Sequence, residues 1–265
     1  MFFLLLTVVT AVSQPVRPIA DKIRPEIIYN DIYGNIYTIE DFQLTKFDTA
    51  RRFMHSFGDF KLGHIASADV SNPQKIMLFY RDAGVILFLD EHLAPIIEPL
   101  DLFAAGFRTI EAAAYSTSNN IWLYNKSNHD LIKTDFQLNR KDIIHLNLQD
   151  INTLQMFEIA EKTLVMNAGE DGIYFFDPFG TLVKHLSLQC DGQIQIIGGK
   201  IFYLKENTLH EYDTKILDEK VYNIGLENIK QALINKNSIT LLTEKGELLI
   251  GKTSETLSVT KDENK

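Results

Sequence analysis

NIWLYNKSNHDLIKTD, residues 120–135, reads as two short strands joined by a polar turn. Ile121, Trp122, Leu123 and Tyr124 form a run of aromatic and branched residues, the types that suit a pleated, packed backbone. Residues 125–130 are polar and turn-like, Leu131, Ile132 and Lys133 resume the extended pattern, and Asp135 closes it. Two such runs about a polar loop predict a β-hairpin.

Outward from this stretch the unit recurs. Residues 35–39 lead to 44–48, 76–79 to 86–90, 163–166 to 173–177, 201–204 to 209–213 and 239–242 to 248–251. The closing residues are Asp48, Asp90, Asp135, Asp177, Asp213 and Gly251, with steps of 42, 45, 42, 36 and 38. A period of about 40 residues built only from strands predicts propeller blades. One blade cannot bury both its faces, so blades must stack into a ring. The expectation is an all-β fold, a six-bladed β-propeller of four-stranded antiparallel blades over residues 27–259.

The repeated aspartate sits where the third strand turns toward the fourth. There a carboxylate accepts backbone N–H groups and holds the turn, a structural role rather than a catalytic one. The small residues at 65–68 and 111–114 suit innermost strands, where blades crowd the axis. Residues 254–259 are expected to supply the last outer strand. Trp122, the one tryptophan, is expected to be buried against a neighbouring blade.

Residues 1–13, MFFLLLTVVTAVS, carry an apolar run and small residues at a cleavage position, and read as a secretory signal peptide. Residues 14–26 hold Pro15, Pro18 and Pro25, predict an extended lead-in, and are placed to help close the ring against the last blade. Residues 260–265 form a polar tail. The expected location is the periplasm, with a soluble protein and no direct membrane insertion after cleavage. A net charge of −9 argues against nucleic acid as a partner. Cys190 is the one cysteine, so there is no disulfide framework, and it is expected to be a small buried side chain.

No hydrolase elbow, zinc helix, P-loop or dinucleotide fingerprint occurs, and the seven histidines are scattered. The expectation is therefore a protein that is not an enzyme and uses no cofactor, acting as a protein-interaction module. Residues 100–109 break the repeat. Leu102, Phe103 and Phe107 there either pack between blades two and three or form a patch for a partner. The alternative is a calcium-dependent lactonase or esterase, since six-bladed enzymes of that kind hold calcium at the channel mouth. Asn30, Asp31, Asp69, Asn167, Glu170 and Asp171 have the oxygen ligands such an ion takes. Asn125-Lys126-Ser127 matches the glycosylation sequon.

GNIYTIED, LTKFD, NPQKIMLFYRDAGVILFLDEHL and NNIWLYN with LIKTD, after the signal, together resemble exported six-bladed propellers of Bacteroidota, with features shared by NHL-type propellers. The resemblance transfers no catalytic motif. It implies docking on an outer-membrane complex, including a plug role at the periplasmic mouth of the type 9 secretion translocon.

Overall fold

The uninterrupted apolar run at 121–124 has a structural cause: both of its faces are buried. Successive side chains on a strand point to opposite faces. Ile121 and Leu123 pack with Met77, Phe79, Ile86 and Phe88 of the preceding blade. Trp122 and Tyr124 pack with Leu164, Met166, Tyr174 and Phe176 of the following one. In the same way Ile76, Leu78 and Tyr80 face blade one, while Met77 and Phe79 face blade three. A middle strand in such a ring has no solvent face, so its sequence does not alternate.

The computed structural model describes residues 17–18, 23–139, 141–148 and 151–259. They form six antiparallel sheets arranged as a six-bladed propeller. The innermost strands are Ile27–Asn30, Ser67–Asp69, Ile110–Ser116, Gln155–Ile159, Gln195–Ile197 and Ile229–Asn235. In blades one to five the next three strands follow outward in chain order. The hairpin of residues 120–135 is the middle pair of blade three, with Trp122 opposite Lys133. Trp122 is fully buried. Cys190 is buried between blades four and five, and burial first, then Asp191, pushes its thiol up to about 12.

The ring closes in a way the sequence reading only half anticipates. Arg17–Pro18 forms the outermost strand of blade six, pairing with Ile250 and Leu249 of its third strand, Leu248–Lys252. Residues 254–259 do not take that place. The chain makes one helical turn at Thr253–Thr256, and Ser258–Val259 pairs with Asn223 and Tyr222 as a fifth strand of blade five. The edge of blade six is already taken by the lead-in, so the chain leaving Lys252 moves to the next free edge. The missing aspartate at Gly251 has the same origin. Blade six has no turn from a third to a fourth strand, so there is nothing for a carboxylate to hold.

The other five aspartates behave as turn anchors. Asp90 Oδ1 accepts from His92 N at 2.8 Å and Ala94 N at 2.9 Å. Asp135 accepts from Gln137 and Asn139, Asp177 from Phe179 and Thr181, Asp48 from Arg52, and Asp213 from Lys215 and Ile216. In residues 100–109, Leu102 and Phe107 are buried in the core between blades two and three. Of the two alternatives for these residues, packing between the blades holds for Leu102 and Phe107, and the partner surface is corrected for both. Phe103 alone of the three is exposed, at 40 %, and it lies across Gly84. Asn125 is buried, with its amide spent on Arg108 O, Thr109 and Asn128 N, so it offers no glycosylation point. The signal peptide and the polar tail lie outside the described residues. No helix among those described is long and apolar enough to cross a membrane.

The backbone bonds at Asp90 hold its carboxyl below the ordinary aspartate range. Its folded pKa lies under its unfolded value of about 3.9, so its stabilisation is present above that pH. It is lost as pH falls through the folded value. Asp90→Asn keeps the acceptor but not the titration. The melting-temperature gap between wild type and Asp90→Asn should therefore be widest at neutral pH and close on acidification below about 4. Thermal melts across that range check it.

Candidate functional site: the axial channel

The innermost strand of each blade is a sheet edge, with backbone N–H groups facing a neighbour rather than a partner strand. An unpaired buried donor is costly. At every junction a side chain of one blade accepts an N–H of its neighbour; blade four clasps blade three, and at the other five junctions a blade clasps the one that follows. Ala68 N donates to Tyr29 Oη at 3.1 Å and Tyr115 N to Asp69 Oδ2 at 3.3 Å. Glu158 accepts from Thr117 N at 2.9 Å and from Ser116 Oγ at 2.6 Å. Ile194 N donates to Gln155 Oε1 at 2.9 Å and Ile234 N to Gln195 Oε1 at 2.5 Å. At the closure Gln231 takes Ile28 N at 2.9 Å and donates to Ile28 O at 2.6 Å. That junction has the smallest apolar cluster among the described residues, built on Ile28, Leu233, Leu242 and Leu248.

Two further amides bridge the ring from blade five to blade one, past blade six. Gln193 Nε2 donates to Tyr29 Oη at 3.2 Å, and Gln195 Nε2 to Asn30 Oδ1 at 2.7 Å. Gln231 also donates to Gln193 Oε1 at 3.1 Å. One side of the axis is thus filled by amides satisfied by one another. The opposite side is built from Ala66, Ser67, Ala68, Ala112 and Ala113, whose short side chains leave space. The result is a channel of about 680 Å³, the size of a typical ligand site.

The channel wall is chemically mixed. Thr153 is 5 % exposed, and its hydroxyl has no hydrogen-bond partner. Arg81 and Glu111 form an ion pair on the wall at 3.4 Å. Asp69 and Glu158 both line the cavity, with opposite shifts. Burial raises the Asp69 carboxyl. At Glu158 burial also raises, but hydrogen bonds from Ser116 and Thr117 outweigh it, and the net shift is downward. Ile32, in the first turn of blade one, and Ile197, at the end of the innermost strand of blade five, give the channel an apolar rim, 74 % and 44 % exposed.

The six oxygen-bearing residues considered for calcium do not gather. Asn30, Asp31 and Asp69 line the channel, whereas Asn167, Glu170 and Asp171 do not. Asp31 already accepts from Tyr33 N, Asn35 N, the Asn35 amide and Tyr37 Oη. Asn167 bonds Gly192 O and Gly169 N. Glu170 and Asp171 belong to a short 3₁₀ turn, Gly169–Asp171, followed by Gly172 at φ 93°, where a Cβ would strike the Leu186 carbonyl. Among the described residues no group of three or more His, Cys, Asp or Glu is placed to hold a metal. The sequence reading missed Gln155, Gln193, Gln195 and Gln231. Their signal was spacing: Gln155, Gln193 and Gln231 stand 38 residues apart.

No protein-family model matches the chain, and no curated protein matches it. Solved structures do. A streptogramin B lyase superposes with a TM-score of 0.62 at 13 % identity, over 95 % of this chain and 88 % of that one. BBS1N in complex with ARL6DN gives 0.55 at 16 %, over 85 % and 77 %. An extracellular domain from B. thetaiotaomicron gives 0.57 at 14 %, covering 90 % of this chain and 35 % of that one. At these identities the likeness shows the propeller fold. It also corrects the expectation that the chain is not an enzyme. That expectation rested on a regular ring without a reactive motif, and a lyase is built on the same ring.

Gln231→Leu removes both bonds to Ile28 and strands a buried N–H and C=O. The loss should be about 1–3 kcal/mol in urea unfolding, with the slope unchanged. An unchanged midpoint would mean that the closure does not depend on this amide.

Proposed function

We propose that this protein is exported to the periplasm and binds a protein partner at the mouth of its axial channel. The observation that carries the reading is the apolar rim of Ile32 and Ile197 opening on a channel of about 680 Å³. Large exposed aliphatic side chains beside a cavity are the composition of a recognition site rather than of an idle surface. A partner would lay a loop or chain end on the rim and send an apolar side chain inward. The resemblance to exported propellers points to a partner in an outer-membrane complex, with the type 9 secretion translocon as the specific candidate. BBS1N, of the same fold, is recorded with a protein partner.

A second reading is supported by the opposed Asp69 and Glu158 carboxyls. Burial moves Asp69 upward while, against burial, the hydroxyl and N–H donors of Ser116 and Thr117 move Glu158 downward. This is the divergence that acid and base partners require for chemistry on a lactone or ester in the channel.

Crosslinking and copurification from envelope fractions, with wild type and an Ile32→Asp, Ile197→Asp double variant, tests the first reading. Both positions are exposed, so the variant should fold. The expected result is a partner captured by wild type and lost in the variant. A wild type that stays solitary, with turnover of lactones or esters that Asp69→Asn abolishes, would replace the first reading with the second.

A further inference from the structure

Three lysines lie over aromatic rings, and one of them differs from the others. Lys46 stands 5.4 Å from the centroid of Tyr37 and donates to Glu91 O of the next blade at 2.8 Å. Lys133 stands 4.7 Å from the Trp122 ring and donates to Pro178 O of the next blade at 2.8 Å. In each pair the ring is the lysine's cross-strand neighbour, and the ammonium bolts one blade to the next.

Lys75 has another arrangement. It belongs to the turn between the first two strands of blade two. Its Nζ lies 3.7 Å from the centroid of Phe136, 5.2 Å from Tyr115 and 5.4 Å from Phe88. The rings hold one another in place. Phe88 meets Phe136 at 5.0 Å and 68°, and Tyr115 at 6.1 Å and 74°. Phe88 is fully buried and Tyr115 nearly so. The ammonium donates to Asn119 Oδ1 at 3.0 Å. Burial holds the Lys75 amine below the ordinary lysine range.

Several ring faces turned on one cation is the geometry that recognises quaternary ammonium groups. Such a group carries no N–H, so it needs no carbonyl of the kind that anchors Lys46 and Lys133. Its methyls replace water on the ring faces. Lys75 reaches the rings on a flexible four-carbon stem from a turn whose Ser71 and Gln74 are exposed, so it leaves without moving a strand. We propose that Phe88, Tyr115 and Phe136 form a binding cage for the quaternary ammonium group of a choline-type molecule, a cage that Lys75 fills in the free protein. This site lies between blades two and three and does not depend on the axial reading.

A ligand must compete with Lys75, so its apparent affinity falls by the fraction of time the cage is open. Titration calorimetry with tetramethylammonium chloride, against matched sodium chloride, tests this on wild type, Lys75→Ala and Lys75→Ala with Phe136→Ala. Lys75→Ala should bind roughly tenfold or more tighter than wild type, as expected for a cage closed most of the time. The double variant should lose the gain. Thermal melts check folding, and Lys75→Met stands in if the alanine variant does not fold. Free choline and phosphatidylcholine vesicles then separate a solute from a lipid headgroup, and binding of either supports the cage. Equal tetramethylammonium affinity in wild type and the Lys75 variants would overturn the proposal. So would full binding by the double variant.

Discussion

The structure depends on how each innermost strand disposes of its edge. A blade pairs its strands from the axis outward, and the first strand is left with backbone donors directed at the next blade. The N–H groups of Ile28, Ala68, Tyr115, Thr117, Ile194 and Ile234 each go to a side chain one blade away. Apolar packing between blades supplies most of the burial but is non-directional. The clasps add direction: they set the height of one blade against the next and so the register of the ring. Where the apolar cluster is smallest, between blades six and one, the clasp is two-sided and a strand from the other end of the chain is added.

The same clasps determine what the channel can recognise. Amides and carboxylates that look available in the sequence are spent on backbone and on one another. Asn30, Gln193 and Gln195 tie blade one to blade five and fill that side of the axis. The free space lies against the alanines of blades two and three. Beside Asp69, Glu158 and the Arg81–Glu111 pair, what the wall leaves for a visitor is the aliphatic side chains of Ile32 and Ile197 and the short side chains of blades two and three. This favours a body with apolar surface and few hydrogen-bonding groups over a small charged solute.

Much of the ring was legible in the sequence because it is periodic. Unbroken apolar runs at one spacing marked strands buried on both faces. The aspartates of residues 48, 90, 135, 177 and 213 marked the turns they anchor. The absence of aspartate at Gly251 marked the closure, although its meaning became clear only with Arg17–Pro18 in place. The site was less legible for a physical reason. Hydrophobic burial follows from residue type, whereas a clasp depends on which backbone donor lies within reach of a side chain about one period away. Leu102 and Phe107 were legible only as a pair of alternatives, packing between two blades or a patch for a partner, and burial between blades two and three decides for packing.

Amide hydrogen exchange followed by NMR tests the clasps most directly. The N–H groups of Ile28, Ala68, Tyr115, Ile194 and Ile234 should be as protected as those of the middle strands and open only with the whole ring. Exchange of these amides near free-peptide rates, with the middle strands still protected, would contradict this.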